Sequence, residues 1–393
     1  MAEWQKTLLI DIVNLIGGGT PKTSKAEYWG GNINWLSVKD FNNENRYVYF
    51  TEKTITEEGL NNSSTKLLKR DDIIISARGT VGELAMIPFP MAFNQSCYGI
   101  RAKEGIDNTF LYYLIKNSVR KLKAMTHGSV FDTITRDTFA NIEVAIPDTQ
   151  MQHRIAKMLV AIDDKIENNQ RINNNLEHQM ETLFRSLFVE NVNSAWQEGV
   201  LSDLGTIVAG GTPSKAKPEY YAEHGIAWIT PKDLSLNKSK FISNGENDIS
   251  ELGFSKSSTT KMPAGTVLFS SRAPIGYIAI AANELTTNQG FKSVVPNENI
   301  GTAFMYFLLK WLLPTIERMA SGSTFKEISG TGMKSVPVVI PDDKTIAQFN
   351  DFCSPIFQQQ EILEAENIRL SNIRDALLPK LMSGELDVSD IDL

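Results

Sequence analysis

The sequence predicts an α+β protein: two similar globular domains separated by two long antiparallel helices that form an intramolecular coiled coil with a pseudo-two-fold repeat. Three observations carry this reading. A heptad seam occurs twice, the sequence around it repeats, and short β-branched runs are bounded by turn residues. The seam is clearest over residues 151–188. Alternating steps of four and three select Ile155, Leu159, Ile162, Ile166, Asn169, Asn173, Leu176, Met180, Leu183 and Leu187, of which eight are apolar. That is the pattern of a helix packed along its length against another. The flanking Asp163, Asp164, Lys165, Glu167, Asn168, Gln170 and Arg171 are polar and are assigned to the outer face. No proline or glycine interrupts the stretch; at 1.5 Å per residue it spans roughly 57 Å.

So long a seam needs a partner. Positions 194 residues later are Phe349, Cys353, Ile356, Gln360, Leu363, Asn367, Leu370, Arg374, Leu377 and Leu381, seven of them apolar and in the same register. Asn173 falls on Asn367. Two seams one repeat apart favour pairing within the chain. The second helix is less regular. Ser354-Pro355 can serve as a new N-cap and first helical residue, so a start or kink is expected there. Pro379 is expected to end or bend it.

The repeat runs in order through both halves. Trp4-Gln5 recurs as Trp196-Gln197, and Gly18-Gly19-Thr20-Pro21 as Gly210-Gly211-Thr212-Pro213. Glu27-Tyr28 gives Glu219-Tyr220, and Trp35 with Lys39-Asp40 gives Trp228 with Lys232-Asp233. Ser76-Ala77-Arg78 and Gly82 give Ser270-Ser271-Arg272 and Gly276, and Asn94-Gln95 gives Asn288-Gln289. Gly128-Ser129 gives Gly322-Ser323, and Ile146-Pro147 gives Ile340-Pro341. Ordered self-similarity of this kind marks duplicated units. It divides the chain into a first domain (1–150), a central helix (151–190), a second domain (191–343) and a C-terminal helix with tail (344–393). Within each domain, strands are expected near 33–38, 72–76 and 142–146 and their repeats, from β-branched runs between Gly, Pro and Asn. Helical spacing of Phe110, Leu111, Leu114, Ile115, Val119 and Leu122 predicts a helix over 108–125.

The 393 residues are 42% hydrophobic and 22% charged, an ordinary globular composition. The apolar run at 8–16 is broken by Asp11 and Asn14 and precedes no small-residue cleavage site, and no run is long enough for a membrane span. A cytoplasmic protein is expected. The two cysteines, Cys97 and Cys353, have no ligand-spaced neighbours, so neither a disulfide framework nor a zinc site is indicated. The net charge of −7 is concentrated late: residues 1–150 carry 17 basic and 17 acidic side chains, and residues 344–393 carry 4 and 9. Neutral domains have modest affinity for polyanions, which scales with phosphates neutralised.

Catalytic patterns fail one by one. In Gly17-Gly18-Gly19-Thr20-Pro21-Lys22-Thr23, Pro21 stands where a phosphate loop needs glycine before lysine. There is no G-x-G-x-x-G after a strand, and His127, His153, His178 and His224 do not cluster. Asp148 with Asp163 and Lys165 superficially fits a metal nuclease, but the latter pair is assigned to a helix polar face. This chain is expected not to be an enzyme by itself.

The doubled Gly-Gly-Thr-Pro, Trp, Lys-Asp, Ser-x-Arg, Asn-Gln and Gly-Ser set resembles the specificity (S) subunit of type I restriction-modification systems. The ending Arg374-Asp375-Ala376-Leu377-Leu378-Pro379-Lys380-Leu381 is similar to that of such subunits. The resemblance covers essentially the whole chain. It implies two target-recognition domains, each reading one half of a split site in double-stranded DNA. The helices would set the unread gap and dock two methyltransferase (M) subunits that flip and methylate adenine. A separate restriction or motor (R) subunit would translocate and cleave. The cofactors implied, S-adenosylmethionine, ATP and Mg, belong to those partners; none is expected on this chain. Heads about one DNA turn apart, roughly 34 Å, suit a two-fold reader, and the helices would act as a ruler.

The repeat also separates frame from reader. Gly18, Gly19, Pro21, Trp35 and Gly82 are read as frame. Lys39/Lys232, Arg78/Arg272 and Asn94-Gln95/Asn288-Gln289 are either structural or in contact with phosphate, and Ser129 and Ser323 are further DNA-binding candidates. Polar residues beside them that differ between halves are candidate readers: Asn42, Asn43, Thr80, His127 and Val130 in the first, and Ser235, Asn237, Pro274, Ser321 and Thr324 in the second. Arg and Lys suit guanine, and Asn or Gln suits adenine. Asn173 and Asn367 are expected to fix helix register, as polar seam residues do. Two rivals remain at this point: a coiled-coil scaffold that touches no DNA, and a metal-dependent nuclease built on Asp148, Asp163 and Lys165.

Overall fold

A computed structural model describes residues 4–41, 45–126, 133–272, 274–322, 326–389 and 391. The chain forms two compact units, Met1–Asn168 with Glu366–Leu393, and Asn169–Ala365. Each unit therefore takes a segment of both long helices.

In the first unit, strands Val13–Gly17, Cys97–Ala102, Ile73–Ser76 and Leu84–Met86 form an antiparallel sheet in that order. A second sheet has the order Lys53–Ile55, Trp29–Leu36, Met91–Phe93, Leu67–Leu68, with Trp29–Leu36 parallel to Met91–Phe93. Gln5–Leu8 pairs with Glu143–Ile146 and closes the head next to the central helix. The sheet core is Leu36, Leu68, Ile74, Met91 and Phe93. The strand expected at 33–38 begins earlier and ends at Leu36, because a helical turn, Val38–Asp40, is capped there by Ser37 and Asp40.

The second unit repeats this plan. Gln197–Val200 pairs with Pro337–Ile340. Gly205–Ala209, Lys292–Pro296, Val267–Ser271, Ile275–Ala281 and Phe241–Ile242 make one sheet. Tyr221–Ala222, Asn247–Ile249, Ile226–Ile229 and Thr286–Thr287 make the other, its last pair again parallel. The predicted head helix is present as Asn108–Thr126, and its repeat as Thr302–Met319.

The central helix runs Thr149–Arg185 and ends in a wider turn, Ser186–Glu190. Asp148 caps it: its Oδ1 accepts the Met151 N–H at 2.8 Å. Asp342 caps the terminal helix, Asp343–Ser383, accepting the Thr345 N–H at 2.9 Å. All twenty seam positions are buried or half-buried. In the first unit Ile155 and Leu159 join Leu378 and Leu381 around Phe110, Leu111 and Tyr113 of the head. In the second, Met180 and Phe184 join Phe349, Cys353 and Phe357 around Phe304 and Phe307. A fully buried Leu, Ile or Phe contributes about 1.5–3 kcal/mol, so each head is fastened to both helices.

Pairing within the first unit is antiparallel: Arg154 donates to the Val388 carbonyl, Asp163 meets Arg374, and Asn367 Nδ2 donates to the Ile166 carbonyl at 3.4 Å. In the second, Gln360 Nε2 donates to the Asn173 carbonyl at 3.0 Å. In these contacts the Gln360 and Asn367 amides meet backbone.

Two expectations are corrected. The terminal helix neither starts at Pro355 nor stops at Pro379; it continues through both to Ser383. Both prolines are exposed, so the carbonyls they free face water, where the missing hydrogen bonds cost least. And Asp163, assigned to the outer face, is buried, with its side chain 8% exposed. Among the described residues no helix is long and apolar enough to cross a membrane.

Candidate nucleic-acid interface

Both units build one frame around the Gly-Gly-Thr-Pro turn. The Trp35 indole donates to the Gly19 carbonyl at 3.0 Å, and Trp228 does the same to Gly211 at 3.0 Å. A Cβ on Gly18 would collide with the Asn94 carbonyl oxygen, and one on Gly210 with that of Asn288. Only glycine permits that approach. Thr20 donates to Gln95 and Thr212 to Gln289, joining the turn to the Asn-Gln loop.

Lys-Asp recurs for its aspartate. Asp40 Oδ2 accepts from the Ser37 N–H and hydroxyl at 2.7 and 2.8 Å, while Oδ1 accepts the Glu52 N–H at 2.7 Å. Asp233 accepts from Thr230 at 2.7 and 2.6 Å and from the Glu246 N–H at 2.8 Å. Each strand end is thereby tied to a second loop, and Lys39 and Lys232 are left exposed. The serine of Ser-x-Arg ties its own loop: Ser76 donates to the Thr80 carbonyl and accepts the Glu83 N–H at 2.8 Å. Ser270 donates to the Pro274 carbonyl at 2.8 Å and accepts the Tyr277 N–H at 2.8 Å. Asn94 Oδ1 accepts the Ser96 N–H at 3.1 Å and Asn288 Oδ1 the Gly290 N–H at 2.8 Å, so each asparagine shapes its own turn.

In the first unit these parts enclose a cleft lined by Lys39, Lys53, Arg78, Asn94 and Glu52. Thr80 and Gln95 are exposed beside it in sequence. In the second unit the cations carry partners. Lys232 pairs with Glu246 at 2.6 Å, Arg272 with Glu327 at 3.4 Å, and Lys292 with Glu327 at 3.7 Å. Burial pushes the Lys292 amine below the usual lysine value despite Glu327. Ser235 donates to the Lys232 carbonyl at 2.7 Å, Asn237 Oδ1 accepts the Ser239 N–H at 3.0 Å, and Ser321 pairs through its backbone with Glu327. Asn42, Asn43, His127, Ser129, Val130, Ser323 and Thr324 lie outside the described residues.

Glu52, Lys53, Lys292 and Glu327 were not singled out from sequence. Glu52 and Glu246 stand one repeat apart, a signal that was present. Lys292 and Glu327 answer to Tyr98 and Thr133, so the repeat could not mark them. Exposed cations and amides on a rigid frame suit phosphates and base edges.

The nuclease set does not converge. Asp148 is a helix cap, Asp163 is held by Tyr113 and Arg374, and Lys165 pairs with Glu366 at 3.3 Å. Among the described residues no three metal-ligating side chains cluster.

The family model for the type I restriction modification DNA specificity domain matches residues 1–178 and again 193–371. The chain belongs to this family, as a specificity subunit with two such domains. It is 28% identical over 415 residues to the type I restriction enzyme MjaIX specificity subunit of Methanocaldococcus jannaschii, covering 99% of this chain and 95% of that one. To the HindI specificity subunit of Haemophilus influenzae it is 25% identical over 341 residues, covering 68% and 74%. In fold it is similar to the crystal structure of the type I S subunit from M. genitalium, with a TM-score of 0.63, 18% identity, and coverage of 97% and 96%.

Proposed function

We propose that each head reads one half of a split DNA site, and that the paired helices set the unread gap and dock two methyltransferase subunits. The observation that carries this is the doubled frame. The same turn, tryptophan, aspartate tie, Ser-x-Arg loop and Asn-Gln loop are built twice, while the side chains around them differ. A reader of two different half-sites needs a common scaffold and distinct contacts. Lys39, Lys53 and Arg78 would meet phosphate or guanine in the first half; Arg272 and Gln289 would act in the second.

The chain would have no catalytic group of its own. S-adenosylmethionine would bind the methyltransferase, and ATP and Mg a restriction subunit where one is present. The assembly would work in the cytoplasm, on the cell's own DNA. The test is co-expression with the methyltransferase and mapping of methylated adenines. A split motif with one fixed gap is expected, and exchanging residues 1–150 should change only one half. A stable complex that methylates nothing would instead favour a scaffold.

A further inference from the structure

In each unit the head meets the helices through charged side chains withdrawn from water, and the two seats are built differently. In the first, Arg46, 8% exposed, pairs with Asp164 at 2.7 Å. The buried Tyr113 hydroxyl donates to Asp163 Oδ2 at 2.6 Å, and Arg374 holds Oδ1 at 2.9 Å. In the second, Lys240, 7% exposed, pairs with Glu177 and donates to Gln360 Oε1 at 2.6 Å. Lys310 reaches Glu177 at 2.7 Å, and Glu364 accepts the N–H groups of Lys240 and Phe241 at 3.0 and 3.1 Å.

The repeat aligns the basic residues of the heads. Arg46 answers to Lys240 and Lys116 to Lys310, each 194 residues on. It does not align the groups that receive them. Asp163 and Asp164 answer to Phe357 and Gln358, Arg374 to Met180, and Glu177 to Ser371. Tyr113 answers to Phe307, which needs no acceptor. Lys240 sits 4.4 Å over the Phe357 ring, where the first seat has a carboxylate. A first head placed on the second seat would therefore turn the Tyr113 hydroxyl towards Phe357 and bury it without an acceptor. Polar groups buried that way are strongly disfavoured.

We propose that the heads are keyed to their seats: each docks on its own pair of helix segments and is rejected by the other. This holds whatever the heads bind. The test uses the full chain with residues 196–341 replaced by a copy of 4–147. A second version adds Phe357→Asp, Gln358→Asp and Met180→Arg, which rebuild the first seat. Hydrogen exchange is read over residues 176–188 and 346–360, with the native first unit of the same molecule as internal control. The simple graft should exchange there about tenfold faster than the native chain, and the rebuilt graft should regain most of the protection. Native-like protection in the simple graft overturns the proposal. So does a rebuilt graft no better protected than the simple one.

Discussion

Replacing Asp163 by alanine removes the centre of the first seat. The carboxylate is 8% exposed and Arg374 is 14% exposed. Its loss leaves the guanidinium, among the described residues, Asp375 at 2.9 Å and largely in water, and takes the acceptor from the buried Tyr113 hydroxyl. Lys116, whose amine burial already pushes below the usual value, also loses a favourable field from Asp163. Removing one partner of a buried pair costs about 3–5 kcal/mol. The hydroxyl adds within that figure rather than to it, because the groups share one network. We expect a loss of about 4 kcal/mol. At roughly 2–4 °C per kcal/mol for a body of this size, the first unit's transition falls by about 8–16 °C. The assay is thermal unfolding of the full chain, with hydrogen exchange assigning the transition to the first unit. The combination Asp163→Leu, Arg374→Met, Tyr113→Phe should recover to within about 1–2 kcal/mol of wild type, since replacing all partners by apolar groups leaves none uncompensated. The reasoning is refuted by an alanine variant within about 1 kcal/mol of wild type, or by a combination as damaged as the single change.

Gly18→Ala should lower stability by about 1–3 kcal/mol in urea unfolding, because the added methyl meets a backbone carbonyl that cannot swing away. Arg78→Ala should leave unfolding within about 0.5 kcal/mol, the side chain being exposed, yet weaken DNA binding of the assembled complex and reduce its salt slope by about one; an unaltered slope and motif would remove Arg78 from the interface. Asn173→Leu should keep or raise stability and blur the spacing between half-sites, whereas an unchanged spacing would deny the seam asparagine its register role. For Glu177, burial pushes the carboxyl up, but Lys240 and Lys310 beside it hold it below the ordinary value of 4.5. With the folded value below the unfolded one, its contribution is present above about pH 4.5 and fades as pH falls through the folded value. Glu177→Gln should therefore flatten the acid limb of the second unit's stability profile, and identical slopes in both chains would contradict this.

The helices were legible because burial writes itself into apolar spacing: all twenty seam positions are buried or half-buried. The repeat was legible because the frame needs particular residues. Gly18 and Gly210 have a carbonyl where a side chain would go, and Asp40 and Asp233 each tie a strand end to a second loop. Polar residues carry no such signature. Asn94 has the chemistry of a base reader and spends its oxygen on the Ser96 N–H. Asp163 has the local pattern of a solvated position and is buried, because Tyr113 and Arg374, 50 and 211 residues away, converge on it. Pro355 and Pro379 look like helix ends, yet their exposed faces let the helix pass. The sequence by itself determined where apolar surface must be hidden and which turns demand glycine, since both are local steric and solvation constraints. The tertiary structure decided which charges go inside and which cations stay exposed, because the energy of a buried charge depends on partners distant along the chain.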